Sequence, residues 1–466
     1  MDIKKIIDSY KNGEISVYNY TSELLNKIKE DRTNSFISIN ERALDRATKL
    51  DEKLKSGEEI GALFGVPVSL KDNIMTKDLK TTCASKMLEN YTPPYDATLV
   101  QKLLEEDAII IGKTNMDEFA MGGTSETSYF GPVKNPIDNT LVPGGSSSGA
   151  AAGQAAGYSV VAIGTDTGGS VRQPASYCSI LGYLPSYGSI SRYGVASLAN
   201  SLDHVGIFAN SIDDIIITLN AIGGNDSKDA TSVKPESLNL KLNEMKDLTG
   251  IKVGYICEFE GLELDESVKE DYNRAINTLI KLGAELVEVK IENQKFLSPT
   301  YSVINTAEAS SNLSRYDGIR YGYLADDYEG LDELYEKTRS EGFGEEVQRR
   351  IAIGMYYLGS DFDRDVYNRA LKVRTLVRRE VESIFSDFDI LLTPSAITLP
   401  PVLGEGNDSV KAFNSGDFHV LANLTGRCAI SIPMSDGLGG SIQLMADRFE
   451  DEKLLNIANR FFKEVK

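Results

Sequence analysis

Apolar positions along this chain recur with helical spacing in some stretches and form short unbroken runs in others. Asp2 and Ser16 stand where side chains cap helices, and Val17, Leu24 and Ile28 keep the helical period after the second cap. Runs that are apolar on both faces predict buried strands. For the first half we predict helices within 2–55, at 98–106 and at 212–222, and strands at 36–40, 63–73, 108–111 and 160–163.

The second half of the chain alternates strands and helices in the same way, beyond a linker at 223–237 that is rich in glycine, serine and aspartate. We predict strands at 252–256, 285–289, 389–392, 429–432 and 441–445, and helices at 266–282, 363–385 and 450–463. This alternation predicts an α/β protein with one large mixed sheet covered by helices. A length of 466 residues favours two or three domains, with a single large α/β domain as the alternative.

The highest density of glycine and serine lies at 143–172, where no charge occurs before Asp166. Alanines and the apolar run at 160–163 alternate with the glycines, which distinguishes this stretch from a flexible polar linker. The pattern predicts a loop, a tightly packed helix, a buried strand and a second loop. Because such small side chains let main-chain N–H groups approach a ligand, we expect both loops to present serines to a substrate.

Composition and charge narrow the class of protein. With 41% hydrophobic and 25% charged residues, the chain is typical of a globular enzyme. Its net charge of −20 repels phosphate, so we expect a partner to make any nucleic-acid contact. The four cysteines are far apart, which predicts neither a metal site nor disulfides. No signal-peptide core and no 18-residue apolar run occur, so we expect a cytoplasmic protein without membrane contact, with an organelle matrix as the alternative.

Two common motifs are present only in part. The pattern G-x-S-x-G at 145–149 would make Ser147 a nucleophile, but prolines stand where its strand should be and only two histidines exist as bases. The stretch 109–114 ends like a phosphate-binding loop, but Asp107 occupies the position of its first glycine. We therefore interpret 109–114 as a strand and a turn.

A third chemistry needs no histidine. A buried lysine loses its charge more readily and can activate a serine, and Lys71 stands at the end of an apolar strand. Gly168 and Gly169 precede Ser170, so successive N–H groups can turn toward one point and form an oxyanion hole. This combination is typical of acyl transfer. The alternative for Lys71 is a strand end whose amine reaches solvent.

These residues lie in motifs that resemble the amidase signature family. Ser170 follows Lys71 by 99 positions and Ser146 by 24, as in that family. The three stretches that carry the resemblance are GVPVSLKDNI, PGGSSSGAAAG and GTDTGGSVRQPASYC. The resemblance implies the amidase signature fold as one domain over 1–466, with N-terminal helices at 1–60, a core at about 61–222, the linker at 223–237 and a part at 238–466 that completes the sheet.

The family resemblance also implies roles for individual residues. Ser170 would attack an amide, Ser146 on a cis peptide bond would pass the proton, and Lys71 would be the final base. Backbone N–H groups of Thr167, Gly168, Gly169 and Ser170 would form the oxyanion hole. No metal and no cofactor would be bound by this chain.

Within the family, the stretches NMDEFAMGGTSETSYFGPVKNP, SISRYGVASLANSLDHVG and AEASSNLSRYDGIRYGY are similar to the glutamine-hydrolysing A subunits of glutamyl-tRNA(Gln) amidotransferases. This similarity implies that the chain releases ammonia from glutamine for the conversion of Glu-tRNA(Gln) to Gln-tRNA(Gln) in translation. The expected partners are a B subunit, which uses ATP and Mg²⁺ and holds the tRNA, and a small C subunit. The alternatives are a stand-alone amidase for another small amide and a catalytically silent scaffold.

Glutamine has a zwitterionic end, which calls for one cation and one carboxylate in the pocket. The resemblance places these at Arg350 and Asp417, with Tyr301 as a lining residue and Arg349 as the competitor of Arg350. We expect Asp166, Asp203 and Arg172 to orient loops around the site. The chain departs from the family pattern at Leu184, Ser189 and Arg427-Cys428, and at Gly416, which displaces Asp417 by one position.

Overall fold

The computed structural model describes residues 2–233, 238–257, 263–359, 365–405 and 417–466. Its helices are α1 (Ile3–Lys11), α2 (Val17–Lys29), α3 (Ala43–Ser56), α4 (Thr98–Glu105), α5 (Ser148–Ala155), α6 (Arg172–Tyr177), α7 (Ile212–Ile222), α8 (Glu266–Lys281), α9 (Leu297–Leu313), α10 (Gly330–Gly342), α11 (Glu345–Leu358), α12 (Asp365–Asp387), α13 (Asp417–Thr425) and α14 (Asp451–Val465). Its strands are β1 (Phe36–Ile39), β2 (Pro67–Lys71), β3 (Ile109–Thr114), β4 (Val161–Asp166), β5 (Leu181–Leu184), β6 (His204–Ala209), β7 (Lys252–Tyr255), β8 (Glu285–Glu288), β9 (Ile390–Pro394), β10 (Ala429–Pro433) and β11 (Ser441–Ala446).

The eleven described strands form one mixed sheet in the order β1-β3-β2-β4-β6-β5-β10-β11-β9-β7-β8. Parallel pairing joins β3, β2 and β4 near one end, and β9, β7 and β8 at the other. The strands between these groups are antiparallel. The predicted α/β fold with a large mixed sheet is confirmed, and strands from both sides of the segment 223–237 belong to the same sheet.

Helices cover both faces of this sheet, as predicted. Consecutive residues of a strand point to opposite faces, and in β9 Leu391 belongs to one buried apolar cluster while Leu392 belongs to another. The first cluster also contains Ile304 of α9 and Leu421 of α13, whereas the second contains Leu455 of α14. No helix in the described ranges is both long and apolar enough to cross a membrane.

The described part of the linker is bound to the core. Gly224 N–H donates to the carbonyl of Ser189 at 2.8 Å, and Val233 N–H donates to Gly188 at 3.1 Å. The carboxylate of Asp226 accepts from Thr98 Oγ1 at 2.6 Å. Residues 223–233 are therefore held on the core by hydrogen bonds despite their glycine-rich composition. Residues 234–237 lie outside the described part of the chain.

The helix α13 was not predicted from the sequence, and neither were the three short elements β5, β6 and α6. Each of these three has only four to six residues. Glycines at positions 182 and 206 interrupt the apolar pattern of the two strands, and these glycines are required by packing. A Cβ at Gly182 would lie 2.4 Å from the side chain of Ala175, and a Cβ at Gly206 would lie 2.8 Å from the carbonyl of Tyr183.

Candidate functional site

Lys71 is the last residue of β2, which lies between β3 and β4, and its side chain is completely buried. Its Nζ lies 2.8 Å from Ser146 Oγ, 2.9 Å from Ser147 Oγ and 2.9 Å from Thr165 Oγ1. This burial contradicts the interpretation of Lys71 as a strand end that reaches solvent. Among the described residues, no carboxylate forms an ion pair with the amine.

These hydroxyl partners suit a lysine that changes its charge. Ser147 donates its own hydrogen to the carbonyl of Thr165 at 3.0 Å, so Ser147 Oγ accepts from Lys71. Thr165 Oγ1 also accepts from Lys71, and these two bonds use both N–H groups of a neutral amine. The lone pair of the neutral Lys71 amine can then accept a hydrogen bond from the hydroxyl of Ser146. An ammonium ion is accommodated equally well, because Ser146 can accept the third N–H.

Burial lowers the pKa of Lys71 from 10.5 to about 7. The negative charges of Asp117, Asp166 and Asp203 oppose this effect and keep the pKa from falling further. Removal from water disfavours the charged form of an amine. The direction of this change is the one expected for a lysine that serves as a neutral base.

Ser146 is held at the beginning of α5 by its main chain. The peptide bond between Gly145 and Ser146 is cis, as the family resemblance implies. The carbonyl of Ser146 accepts from Asp117 N–H at 3.2 Å, and Gly145 N–H donates to Gln173 Oε1 at 2.9 Å. Contacts from two distant segments therefore fix the loop that presents Ser146 to Lys71.

Ser147 is not placed as an exposed nucleophile. Its side chain is fully buried and its Oγ is shared between Lys71 and the main chain of Thr165. No strand leads into α5, so the strand-to-helix turn of the G-x-S-x-G motif is absent from this described segment. Ser147 instead orients the lysine, a role that the motif does not indicate.

Ser170 lies in the loop between β4 and α6 and is half-buried. Its hydroxyl forms no hydrogen bond with another described residue, whereas its carbonyl accepts from Ser147 N–H at 3.2 Å. The predicted relay has two links. The structure contains the link from Lys71 to Ser146 and contains no hydrogen bond between the hydroxyls of Ser146 and Ser170.

Asp166 organises the loop that carries Ser170. Its carboxylate pairs with Arg172 in a fully buried salt bridge of 3.0 Å and accepts from Gly169 N–H at 2.8 Å and from Val171 N–H at 3.1 Å. Burial alone would raise the pKa of Asp166, but the charge of Arg172 and the hydrogen bonds from Arg172, Gly169 N–H and Asn423 together lower it below its usual value. Arg172 extends the network to Asn423 on α13 and Gln443 on β11.

This network changes the expected oxyanion hole. The N–H of Gly169 is already bound to Asp166, whereas those of Thr167, Gly168 and Ser170 donate to no other residue in the described part of the chain. Gly169 has a φ of +114°, and a Cβ there would lie 2.7 Å from the ring of His419. Only glycine fits this position, and it fixes the turn without contributing a free donor.

Asp203 anchors the same loop from the opposite side. It accepts from Thr167 Oγ1 at 2.8 Å and from the N–H groups of Leu198 and Ala199. Burial raises the pKa of Asp203 to about 6, and these hydrogen bonds limit the rise. The contacts support the expected orienting role of Asp203, as those of Asp166 and Arg172 do for theirs.

Tyr301 on α9 covers the loop of the candidate nucleophile. A Cβ at Gly168 would lie 2.5 Å from the ring of Tyr301, so the ring packs directly on this glycine. Burial raises the pKa of Tyr301 to about 12, and the nearby positive charge of Arg350 opposes the rise. The structure thus places the predicted lining residue on the loop, within range of the charge of the predicted cation.

The two adjacent arginines of α11 differ in exposure. The side chain of Arg350 is 20% exposed and that of Arg349 is 57% exposed. Both bind Glu346, Arg350 through Nε at 2.6 Å and Arg349 through two nitrogens at 2.7 and 2.8 Å. Burial and proximity to Tyr301 favour Arg350 over its competitor.

Asp417 is the first residue of α13, and its side chain lies outside the described part of the structure. The position of the helix is nevertheless informative. His419 lies two residues further along α13, and its ring is the group that a Cβ on Gly169 would meet. The beginning of α13 therefore lies beside the candidate nucleophile loop, which supports the assignment of Asp417 without testing it.

The described residues that depart from the family pattern are buried in the core of the protein. Leu184 and Ser189 are buried, and the buried Arg427 pairs with Asp447 at 2.9 Å.

Lys113, in the stretch that resembled a phosphate loop, lies inside β3 and donates to the carbonyl of Ile74 at 2.6 Å. The predicted strand is confirmed, but the turn predicted at the end of 109–114 is wrong, because β3 continues through Thr114.

No cluster of side chains suited to a metal ion occurs in the ranges that the structure describes. A surface cleft of about 500 Å³ is lined by residues such as Arg32, Tyr158 and Cys178. It contains none of the predicted site residues.

The chain is similar over most of its length to proteins of one family. A family model described as amidase matches residues 19–455. The A subunit of glutamyl-tRNA(Gln) amidotransferase from Thermoanaerobacter pseudethanolicus is 46% identical to the chain, and the alignment covers 99% of this chain and 96% of that protein. The corresponding protein from Fusobacterium nucleatum is 45% identical with the same coverage.

A solved structure leads to the same family. The crystal structure of the A subunit of glutamyl-tRNA(Gln) amidotransferase from Thermotoga maritima superposes with a TM-score of 0.81 and 35% identity, covering 98% of this chain and 93% of that one. The matched region contains Lys71, Ser146 and Ser170, so the resemblance found in the sequence is confirmed. The chain belongs to the amidase family.

Proposed function

We propose that the chain hydrolyses the side-chain amide of glutamine and is the A subunit of a glutamyl-tRNA(Gln) amidotransferase. The observation that carries the chemistry is the 2.8 Å contact between the buried amine of Lys71 and the hydroxyl of Ser146. The biological role is supported by the relatives from this amidotransferase, which align over nearly their whole length.

Acylation begins with attack of Ser170 Oγ on the amide carbon of glutamine. The proton of Ser170 passes to Ser146 Oγ while the proton of Ser146 passes to the neutral amine of Lys71. The hydroxyls of Ser146 and Ser170 are not hydrogen-bonded without substrate, and we propose that the bound amide closes this link, since catalytic hydrogen bonds often tighten in the substrate complex.

The tetrahedral intermediate places a negative charge on the former amide oxygen. The free N–H groups of Thr167, Gly168 and Ser170 are the donors available to this oxygen. The proton then returns from Lys71 through Ser146 to the leaving nitrogen, the carbon–nitrogen bond breaks, and ammonia departs. Water hydrolyses the ester on Ser170 by the same proton route and releases glutamate.

Recognition of glutamine is assigned to the cation and carboxylate beside this loop. Arg350 would bind the α-carboxylate, Asp417 the α-ammonium group, and Tyr301 would cover the side chain. An arginine suits this role because its planar guanidinium binds a carboxylate through two parallel hydrogen bonds. The positive charge of Arg350 acts on Tyr301, whose ring packs on Gly168 of the loop, and this supports the assignment of Arg350.

The ammonia would serve a partner protein in the cytoplasm. We propose that a B subunit uses ATP and Mg²⁺ to activate Glu-tRNA(Gln) and that a small C subunit holds the two together. The net charge of −20 supports this division, because a strongly acidic chain repels the phosphates of tRNA.

The test is ammonia release from glutamine by the purified chain, alone and with its two partner subunits and charged tRNA. Ser170→Ala should reduce turnover by several orders of magnitude, because no other described hydroxyl occupies its place in the loop. Ser176→Ala is the matched control, since Ser176 is a buried serine six residues later on α6. It should leave turnover within a factor of about two of wild type.

The same assay separates the alternatives. Turnover of glutamine that does not increase with the partner subunits, together with faster turnover of another small amide, would indicate a stand-alone amidase. Unchanged turnover in Ser170→Ala would indicate a silent scaffold and would refute the proposed chemistry.

A further inference from the structure

Glu118 is a buried carboxylate that the proposed mechanism does not use. Along the chain it lies after β3 and before the loop that carries Ser146. Only 2% of its surface is exposed. Its Oε2 accepts from Gly344 N–H at 2.9 Å, and its Oε1 accepts from the hydroxyl of Ser85. Gly344 caps the N-terminus of α11, the helix that carries Arg350.

The contact is a helix cap that comes from a distant part of the chain. The first N–H groups of a helix have no partner within it, and a glutamate often binds the N–H of the capping residue. Glu118 supplies this carboxylate from 226 positions away. A negative charge at this end also interacts favourably with the helix dipole.

The space around the cap is closely filled. A Cβ at Gly344 would lie 2.4 Å from Glu118 Oε2, so glycine is needed for this approach. The ring of Phe343 packs on that of Phe119, with centroids 5.6 Å apart. Ser85 also lies 3.3 Å from the carbonyl of Gly342. The turn between α10 and α11 is therefore held on the segment 117–119.

That same segment holds the relay serine. Asp117 N–H donates to the carbonyl of Ser146 at 3.2 Å. The adjacent residues Asp117 and Glu118 thus bind two parts of the site. Asp117 holds the loop of the proton relay, and Glu118 holds the start of the helix that carries Arg350. Arg350 lies about 9 Å along α11 from its cap, at 1.5 Å per residue, so a movement of the cap is transmitted to the guanidinium.

We propose that Glu118 is a positioning residue that sets the place of Arg350 relative to Ser170 and thereby determines the affinity for the α-carboxylate of glutamine. The inference rests on the proposed function, because it requires Arg350 to bind that carboxylate. Glu346 orients the guanidinium locally through its 2.6 Å contact. Glu118 sets the position of the whole helix. Burial raises the pKa of Glu118 to about 7, which is consistent with a carboxylate enclosed by protein.

The experiment compares Glu118→Ala with the conservative variant Glu118→Gln in the full-length chain. The alanine removes the cap, so KM for glutamine should rise at least tenfold. The glutamine should retain KM within about threefold, because its amide oxygen can accept from Gly344 and its NH₂ can donate to Ser85, whose hydroxyl then turns to the carbonyl of Gly342.

A second measurement separates positioning from damage to the fold. A fluorophosphonate reacts with activated serines and has no amino-acid end for Arg350 to bind. Its rate of reaction with Ser170 should be unchanged in Glu118→Ala. In the double variant Glu118→Ala/Arg350→Ala, KM should equal that of Arg350→Ala alone, because residues that act through one another are not additive.

Two results would overturn the inference alone, provided that Arg350→Ala raises KM. These are an unchanged KM in Glu118→Ala, and a loss of fluorophosphonate reactivity equal to the loss of glutamine turnover. An unchanged KM in Arg350→Ala would overturn the assignment of Arg350 and this inference together. The two kinds of failure are therefore distinguishable.

Discussion

Replacement of Lys71 by methionine should remove activity and change how the stability of the chain depends on pH. Lys71 is fully buried, and its pKa falls from 10.5 to about 7 on folding. Between these pH values the unfolded chain holds one proton more than the folded chain at this position. The free energy of unfolding of wild type therefore rises with pH across this window, relative to Lys71→Met.

The size of this effect follows from the pKa values. One pKa unit corresponds to about 1.4 kcal/mol. From pH 7 to pH 9, wild type should gain between about 2 and 3 kcal/mol of unfolding free energy over Lys71→Met, with allowance for half-titration at pH 7. Methionine also loses the hydrogen bonds to Ser146, Ser147 and Thr165. That loss is the same at every pH and does not enter the comparison.

The assay is urea unfolding of both proteins at several pH values, together with ammonia release from glutamine. Lys4→Met, at a position with 66% of its side chain exposed, is the control and should show no such divergence from wild type. Parallel stability curves for wild type and Lys71→Met between pH 7 and pH 9 would refute the depressed pKa. A folded Lys71→Met with normal turnover would refute its role as the base.

Three further predictions concern the base, the oxyanion loop and its support. In wild type, kcat/KM for glutamine should rise about tenfold between pH 6 and pH 8, since a base with a pKa of about 7 accepts a proton only when neutral; a flat profile would contradict this. Gly169→Ala should reduce turnover at least a hundredfold, because its φ of +114° and the adjacent imidazole exclude a Cβ; measured turnover near wild type would show that the loop can adapt. Asp166→Asn should lower the unfolding free energy by about 3 to 5 kcal/mol, because Arg172 is left buried without its counter-charge. Glu333→Gln, which breaks an exposed ion pair, should cost less than about 1 kcal/mol in the same urea titration, and equal losses would contradict the argument.

Part of the candidate site could be predicted from local sequence. The apolar run before Lys71 indicated a buried strand end, and the small residues around Ser146 and Ser170 indicated two close-packed loops. These features depend on neighbouring residues alone, so periodicity and composition reveal them. The resemblance to the amidase family added the roles of the three residues and the assignment of Arg350.

Other parts depended on contacts between distant segments. Thr165 and Ser147 bind the amine of Lys71 from 94 and 76 positions away. No local pattern marks Thr165, and the G-x-S-x-G pattern marks Ser147 only as a nucleophile and not as a partner of the lysine. Sequence reasoning also counted Gly169 among the oxyanion donors. The folded chain directs its N–H to Asp166 instead.

The sequence by itself determined most of the segments that form helices and strands, where charge is absent, and which serines follow glycine. Tertiary structure alone decided the depth of Lys71, the difference in exposure between Arg349 and Arg350, and the cap that Glu118 places on α11. The physical reason is that desolvation and hydrogen bonding depend on which atoms surround a group in three dimensions. Those atoms come from strands and helices that are remote in the chain.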